Sequence, residues 1–514
     1  MSEPAPARPS QTATPAAGPA ATDPAIPLPR GFAVAMDAGT RELSDGSLFG
    51  GSPARVLRMT STGNLALAQL REGPVRSAAA AVLARRLTDA GLAHPVPPGR
   101  AANSDRTRLE VTVVIPVRDR PVMLERCLAA TSRTWPVVVV DDGSADPGAI
   151  AAVTARHGAS LRRRDTAGGP AAARNTGLAG IESDLVAFLD SDCVPPACWI
   201  DQLAPHFADP LVAAVAPRVV APAIQTSAGR YEQVRGSLDF GARPARVWPG
   251  SRVGYVPTAA LLVRRAALDE ACSGGTFFDP SLRYGEDVDL IWRLHAAGWR
   301  IRYEPAVQVR HDGPADWPAL LGRRFWYGTS AAPLARRHPA NLAPLVLQPW
   351  PAGTVAALLA RRPAMAAACV GAAWLELTAI LRRAGVPADG ALRATLTAVR
   401  QTWLGAGRYA TQFAGPALVG VLAVPGGKTL SRRWGRRAAA ASLLLGPALT
   451  EYAERSPDLD PVRFTLGHIA DDVCYGAGVW VGCLRERTTV PVRPVISWRP
   501  LRIAAAGQAR GQDR

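Results

Sequence analysis

Asp190-Ser191-Asp192 directly follows the apolar run Leu185–Leu189. Two carboxylates one residue apart at a strand's C-terminal end can be aimed into the crevice where α/β sheets bind ligands. Hard oxygen ligands there suit Mg2+ or Mn2+, completed by a phosphate-bearing substrate. Most isolated DxD triplets are solvated turns, but the apolar run before this one and Cys193-Val194-Pro195 after it argue for a site. A second acidic pair, Asp141 and Asp142, closes VVVVDDGS. Such side chains can accept hydrogen bonds from a uracil N–H or ribose hydroxyls, or simply close the strand in an Asx turn. In GGPAAARNTGL, Arg174 and Asn175 lie early in an expected helix, where a Gly-Gly-Pro entry offers N–H groups and a dipole to a diphosphate. The fourth cluster, Gly285-Glu286-Asp287, opens an amphipathic segment that carries Trp292. It reads as a helix cap, or as a carboxylate placed to take a proton from an attacking hydroxyl.

Holding these groups requires strands that end where the acids begin. EVTVVIPVRD, WPVVVVDDGS and LVAFLDSDC are short β-branched or apolar runs, with MLERCLAATS at helical spacing between the first two. They predict buried parallel strands in βαβ units. No GxGxxG follows the first strand, so a dinucleotide site has no support. Around this α/β domain at 109–330, the 514 residues divide into four further parts. Residues 1–28, low in hydrophobicity and rich in Pro, predict a disordered leader without a signal-type apolar core. Residues 29–100 predict a small winged-helix-like α+β unit, with Ser61 or Thr62 as a cap and Gly91 as a stop. It serves either to recognise a peptide or protein partner or to buttress the next domain. PVPPGRAANSDRTR reads as a linker. Residues 331–490 predict an α-helical C-terminal region, and 491–514 a basic tail.

The formal net charge is +17, and 25 Arg+Lys against 12 Asp+Glu fall after residue 310, so the basicity belongs to the C-terminal part. The only lysine is Lys428, which points to codon composition rather than selected guanidinium chemistry. A nucleic-acid partner is therefore not expected. Arginine pairs at 361–362, 382–383, 432–433 and 436–437 flank the most apolar C-terminal stretches. They suit an anionic leaflet or the solvated ends of an ordinary bundle, and both readings stand. The cysteines (127, 193, 198, 272, 369, 474 and 483) form neither CxxC pairs nor a framework. Their pattern fits a reducing cytoplasm, with the inner face of the cell membrane as the variant location.

In this order, VVIPVRDRP, VVVVDDGS, AARNTGL, FLDSD and GEDVDLIWR resemble the inverting glycosyltransferases of family 2, over roughly residues 109–330. The resemblance implies a GT-A fold and a metal-dependent hexosyl transfer from a UDP-sugar. It implies that Pro116, Val117 and Arg118 line the nucleotide site and that Asp142, with Asp141, reads the uracil or ribose. Arg174 and Asn175 would then lie near the diphosphate, with Asp190 and Asp192 on the metal and His311 as a further ligand. Asp287, beside Glu286, becomes the general base, and Trp292 and Trp326 the acceptor contacts. Arg118-Asp119 departs from the aromatic–Asn pair common in the family, which leaves the base contacts open. GGSPARVLRM, LTDAGLAHP and FDPSLRYGEDVDLIWRLHAAGWRIRYEP are similar to the mycofactocin-system group of that family. That similarity implies UDP-glucose as donor, a small peptide-derived redox cofactor or its precursor as acceptor, and a β-1,4-glucose chain as product. A lipid-linked or cell-wall polysaccharide acceptor is the alternative. A nucleotidyltransferase would want glycines after the first strand, which are missing, and a peptide-binding scaffold would not turn over UDP-glucose.

Overall fold

The computed structural model describes residues 26–99, 109–131, 135–272, 276–383, 385, 387–424, 430–498 and 502–505. The β-branched runs form the centre of a mixed sheet, nine-stranded among the described residues. Val111–Val117 lies between Val137–Asp142 and Leu185–Leu189, parallel to both. The chain thus leaves this strand to one side for its next partner and to the other for a later one. Ligand crevices in α/β sheets open at such a divergence. Val117, Asp142 and Asp190 stand at the strand ends that border it.

Beyond Leu185–Leu189 the sheet turns antiparallel with Ala260–Arg264 and continues through Val212–Val220 to Arg300–His311. Cys193–Val194 pairs with the end of that last strand, Cys193 opposite His311, which brings His311 beside the DSD triplet. Both sheet faces are covered, as continuous apolar strands demand. Helices Gly169–Leu178 and Glu286–Ala296 pack on one face with Val114, Val140 and Phe188. Leu124 and Leu128 of Pro121–Ala130 pack on the other with Val113 and Ile115.

The N-terminal unit carries helices Ser61–Glu72 and Ala78–Ala90 beside short strands. The first helix is capped by Thr60, whose hydroxyl accepts from Gly63 N–H, one residue before the expected Ser61 or Thr62. Gly91 ends the second in a left-handed conformation. Residues 1–25 of the expected leader lie outside the described residues. Leu28, however, is buried in this unit's core, so the packed part begins before residue 29. The expected linker is also shorter: Ala93–Val96 pairs with Ala33–Met36, and residues 100–108 lie outside the described residues. Arg85 reaches Asp209 of the α/β domain through 2.7 and 2.8 Å contacts, with both side chains 1% exposed. Trp248 Nε1 donates to Ser52 O at 2.9 Å, so the unit is docked by buried polar contacts as well as apolar ones.

The C-terminal region consists of helices, including Pro363–Arg383, Ala391–Ala423, Leu430–Arg455 and Pro461–Arg485. Of the expected basic tail, Val495–Ile496 pairs with Val346–Leu347, and Arg502–Ala505 runs parallel to Arg55–Arg58 of the N-terminal unit. Pro363–Arg383 is the one helix among the described residues long and apolar enough to cross a membrane. Pro461–Arg485 instead packs on Trp317–Thr329, backbone against backbone. A Cβ added at Gly478 would meet the Phe325 carbonyl oxygen, and one at Gly328 the Tyr475 carbonyl oxygen. Because neither backbone can yield as a flexible side chain would, we expect Gly478→Val to destabilise the protein by about 3 kcal/mol or more. An unchanged midpoint in chemical denaturation would show that the helices do not need this approach.

Candidate active site

Adjacent residues of a strand point to opposite faces, and the two aspartates ending Val137–Asp142 divide accordingly. Asp142 borders the cleft. It accepts from Gly168 N–H at 2.9 Å, Gly169 N–H at 2.7 Å and Arg164 Nε at 2.8 Å. The Gly-Gly amides expected to face a diphosphate are therefore turned onto a carboxylate. Asp141 is fully buried away from the cleft, accepting from Ser144 N–H at 2.9 Å and pairing with Arg163. It anchors the turn, which is the Asx-turn alternative rather than a nucleotide contact. Asn175 also faces away. Its amide donates to Phe278 O at 2.7 Å and accepts from Phe278 N–H at 2.9 Å, pinning the segment that leads to Glu286.

Arg174 comes from the buried face of Gly169–Leu178. Its guanidinium reaches Asp190 at 2.7 Å and Glu286 at 2.8 Å, and the side chain is 3% exposed. Burial works against the charge, but the two carboxylates more than offset it and raise its pKa. Arg174 is thus a clamp between the DSD strand and the Glu286–Ala296 helix. Asp287 is the next residue of that helix, and its carboxylate accepts from Val288 N–H at 2.7 Å. Burial first, then the neighbouring Glu286 charge, pushes its carboxyl up to about 7. A carboxyl poised near neutrality beside a cleft has the proton affinity a general base needs.

On the other side of Asp190, Asp192 takes a 2.7 Å contact from Arg120, a residue the sequence reading passed over. His311 Nε2 lies 3.5 Å from Asp192. Among the described residues no three groups converge as a complete metal cage. Asp192 and His311 are neighbours with Asp190 on the same cleft, and oxygen and imidazole donors of this kind suit Mg2+ or Mn2+ when water and substrate phosphates supply the rest. The donor chemistry fits such an ion.

These residues line one cleft of about 1010 Å³, together with Pro116, Val117 and Arg118. Trp292 borders it but is 6% exposed, and its indole N–H donates to Gly254 O at 2.9 Å. Trp326 lies outside the cleft lining, stacked on Tyr284 with ring centroids 6.2 Å apart. Trp326 is 40% exposed, so this stack with Tyr284 covers only part of the indole. The opposite wall comes from residues with no local signature: Tyr255 and Arg235 of the α/β domain, and Arg408, Asp472 and Tyr475 of the C-terminal helices.

The model of glycosyl transferase family 2 matches residues 112–270. The pre-mycofactocin glycosyltransferase of Mycobacterium tuberculosis, in strains H37Rv and CDC 1551, is 40% identical over 498 residues, covering 91% of this chain and 98% of that protein. Glycosyltransferase AglE of Haloferax volcanii is 35% identical over 234 residues, 42% of this chain and 71% of AglE. Among solved structures, GalNAc-T7 with UDP, GalNAc and Mn2+ aligns at a TM-score of 0.33 and 15% identity, over 46% of this chain and 52% of that one. A likeness that loose carries no argument.

Proposed function

The chain belongs to glycosyltransferase family 2, in its mycofactocin-system group, and we propose that it transfers glucose from UDP-glucose, with inversion, to mycofactocin or its peptide-derived precursor, building a β-1,4-glucose chain. The observation that carries this reading is Asp287, a half-buried carboxyl that lines the cleft on the helix Arg174 clamps to the DSD strand. In the proposed reaction Asp287 takes the proton of the acceptor hydroxyl as that oxygen attacks the anomeric carbon from the face opposite UDP. A single displacement converts an α-linked donor into a β product. Asp190 and Asp192, with His311, would hold the Mg2+ or Mn2+, which when bound supplies positive charge toward the departing diphosphate. Pro116, Val117 and Arg118 form the nucleotide wall, and Asp142 braces the Gly168-Gly169 loop beneath it. Residues 29–100 would serve a pathway peptide or protein partner.

Incubating the protein with UDP-glucose and the peptide-derived acceptor, and finding added hexoses by mass spectrometry, tests the assignment. Transfer only to an extracted lipid-linked sugar would favour the second reading. That reading draws on the largely exposed apolar helix Pro363–Arg383, 17% of whose most apolar window is buried, and it would bring peripheral contact with the inner face of the membrane. For the metal set we expect Asp192→Ala to abolish the Mn2+-dependent part of UDP binding. Calorimetry with and without Mn2+ measures this, and an unchanged Mn2+ increment would remove Asp192 from the set.

A further inference from the structure

The cleft does not end at Asp287. It continues between the α/β domain and the C-terminal helices, into a compartment walled by Arg235, Arg408, Glu451 and Asp472. Two groups there are nine-tenths buried and incompletely satisfied. Arg235, at the end of helix Ser227–Arg235, makes ion pairs only at 3.6 to 3.9 Å, with Glu451, Asp471 and Asp472. Among the described residues its Nη1 has no hydrogen-bond partner, and neither has Asp472 Oδ2. Buried groups of this kind normally find partners. Asp472 Oδ1, by contrast, is held by Arg408 at 3.2 Å and Gln412 at 3.1 Å, which fixes the carboxylate, while Oδ2 has only His468 Nδ1 near it, at 3.4 Å and short of a hydrogen bond.

Between this compartment and Asp287 the lining is phenolic. Tyr255, Tyr327 and Tyr475 come from the α/β domain, from Trp317–Thr329 and from Pro461–Arg485. Burial, and after it the Asp287 charge, raises the pKa of both Tyr255 and Tyr327, which places these rings within electrostatic reach of the base.

We propose that this compartment is the acceptor subsite, where Arg235, Asp472 and Tyr475 hold the neutral, hydroxyl-rich end of a glycan with its attacking hydroxyl toward Asp287. The inference rests on the glycosyltransferase reading and gives the C-terminal helices a part in it. Charge decides the ligand class. Arg324, Arg408 and Arg455 are already paired with Asp471, Asp472 and Glu451 at 2.8, 3.2 and 3.1 Å, so a diphosphate would meet carboxylates, whereas sugar hydroxyls can both donate to Asp472 and accept from Arg235. Phenols add flat, amphipathic surface for a sugar ring.

Cellobiose is a suitable probe, with binding followed by calorimetry separately from UDP. Asp472→Asn combined with Tyr475→Phe is expected to weaken cellobiose roughly tenfold or more and to leave UDP affinity unchanged. Tyr475→Phe alone, which removes only a hydroxyl, should weaken it severalfold and guards against a double variant that fails to fold. Unchanged cellobiose affinity in both would make the network purely structural and overturn the proposal. Loss of UDP binding instead would assign the compartment to the donor and overturn it as well. Failure of the glycosyltransferase reading would look different: the native protein would turn over no UDP-sugar, whatever its affinity for cellobiose.

Discussion

Asp287→Asn is expected to lower kcat by about 10²- to 10⁴-fold with UDP affinity unchanged. The amide keeps the shape and can still accept from Val288 N–H, but it cannot take a proton. In the native protein only the ionised carboxylate can act, and burial with the Glu286 charge has raised this carboxyl to about 7. Activity should therefore fall as pH drops through about 7, and the residual activity of the Asn variant should lose that acid limb. Stability moves the opposite way. A carboxyl whose folded pKa lies above its unfolded value binds more protons folded than unfolded, so stability declines as pH rises from the ordinary carboxyl range to about 7. Removing the charge relieves that cost, by on the order of 1–3 kcal/mol above neutrality and by nothing in acid. A variant less active but more stable at pH 8 would fit a site that trades stability for chemistry. Equal loss of UDP binding, or an acid limb that survives, would remove Asp287 from the role.

The parts of this site that the sequence made legible are those where chemistry follows directly on a strand. Asp190, Asp192 and Asp142 could be placed because an apolar run ended one residue before the acids. Asp141 could have been separated from Asp142 by the same logic, since alternation lets only one of two neighbours face the crevice. Arg174 was legible as a cation early in a helix, placed near a diphosphate, but not as a clamp, because Glu286 is 112 residues away in sequence. Its two carboxylates meet only after the sheet and the Glu286–Ala296 helix have packed. The wall of Arg235, Asp472 and Tyr475 left no trace for a related reason. It depends on helix Pro461–Arg485 docking through Gly328 and Gly478, and a glycine in a helical stretch reads as a weak point of that helix rather than as a contact. Trp326 is the converse case: an aromatic legible in the sequence that stacks on Tyr284 and lies outside the cleft lining.

Arg174→Met should destabilise the protein by about 3–5 kcal/mol at pH 8, measured by chemical denaturation in the presence of a chelator. Methionine nearly fills the space but leaves Asp190 and Glu286 facing each other without the cation that now lies 2.7 and 2.8 Å from them. The penalty is the repulsion and desolvation of two carboxylates left without their common cation. Arg174→Lys is expected to fall between the native protein and the Met variant, because one ammonium keeps the charge but cannot span two carboxylates as the planar fork does. This also separates the two roles open to the residue. An arginine whose work is to meet a donor diphosphate would, when removed, weaken UDP binding and leave the apoprotein about as stable as before. An arginine that clamps the DSD strand to the Asp287 helix would cost stability first, and would cost activity because base and metal ligands lose their common anchor. The distances and the 3% exposure of the side chain favour the second outcome. A variant of native stability with weakened UDP binding would return Arg174 to the diphosphate.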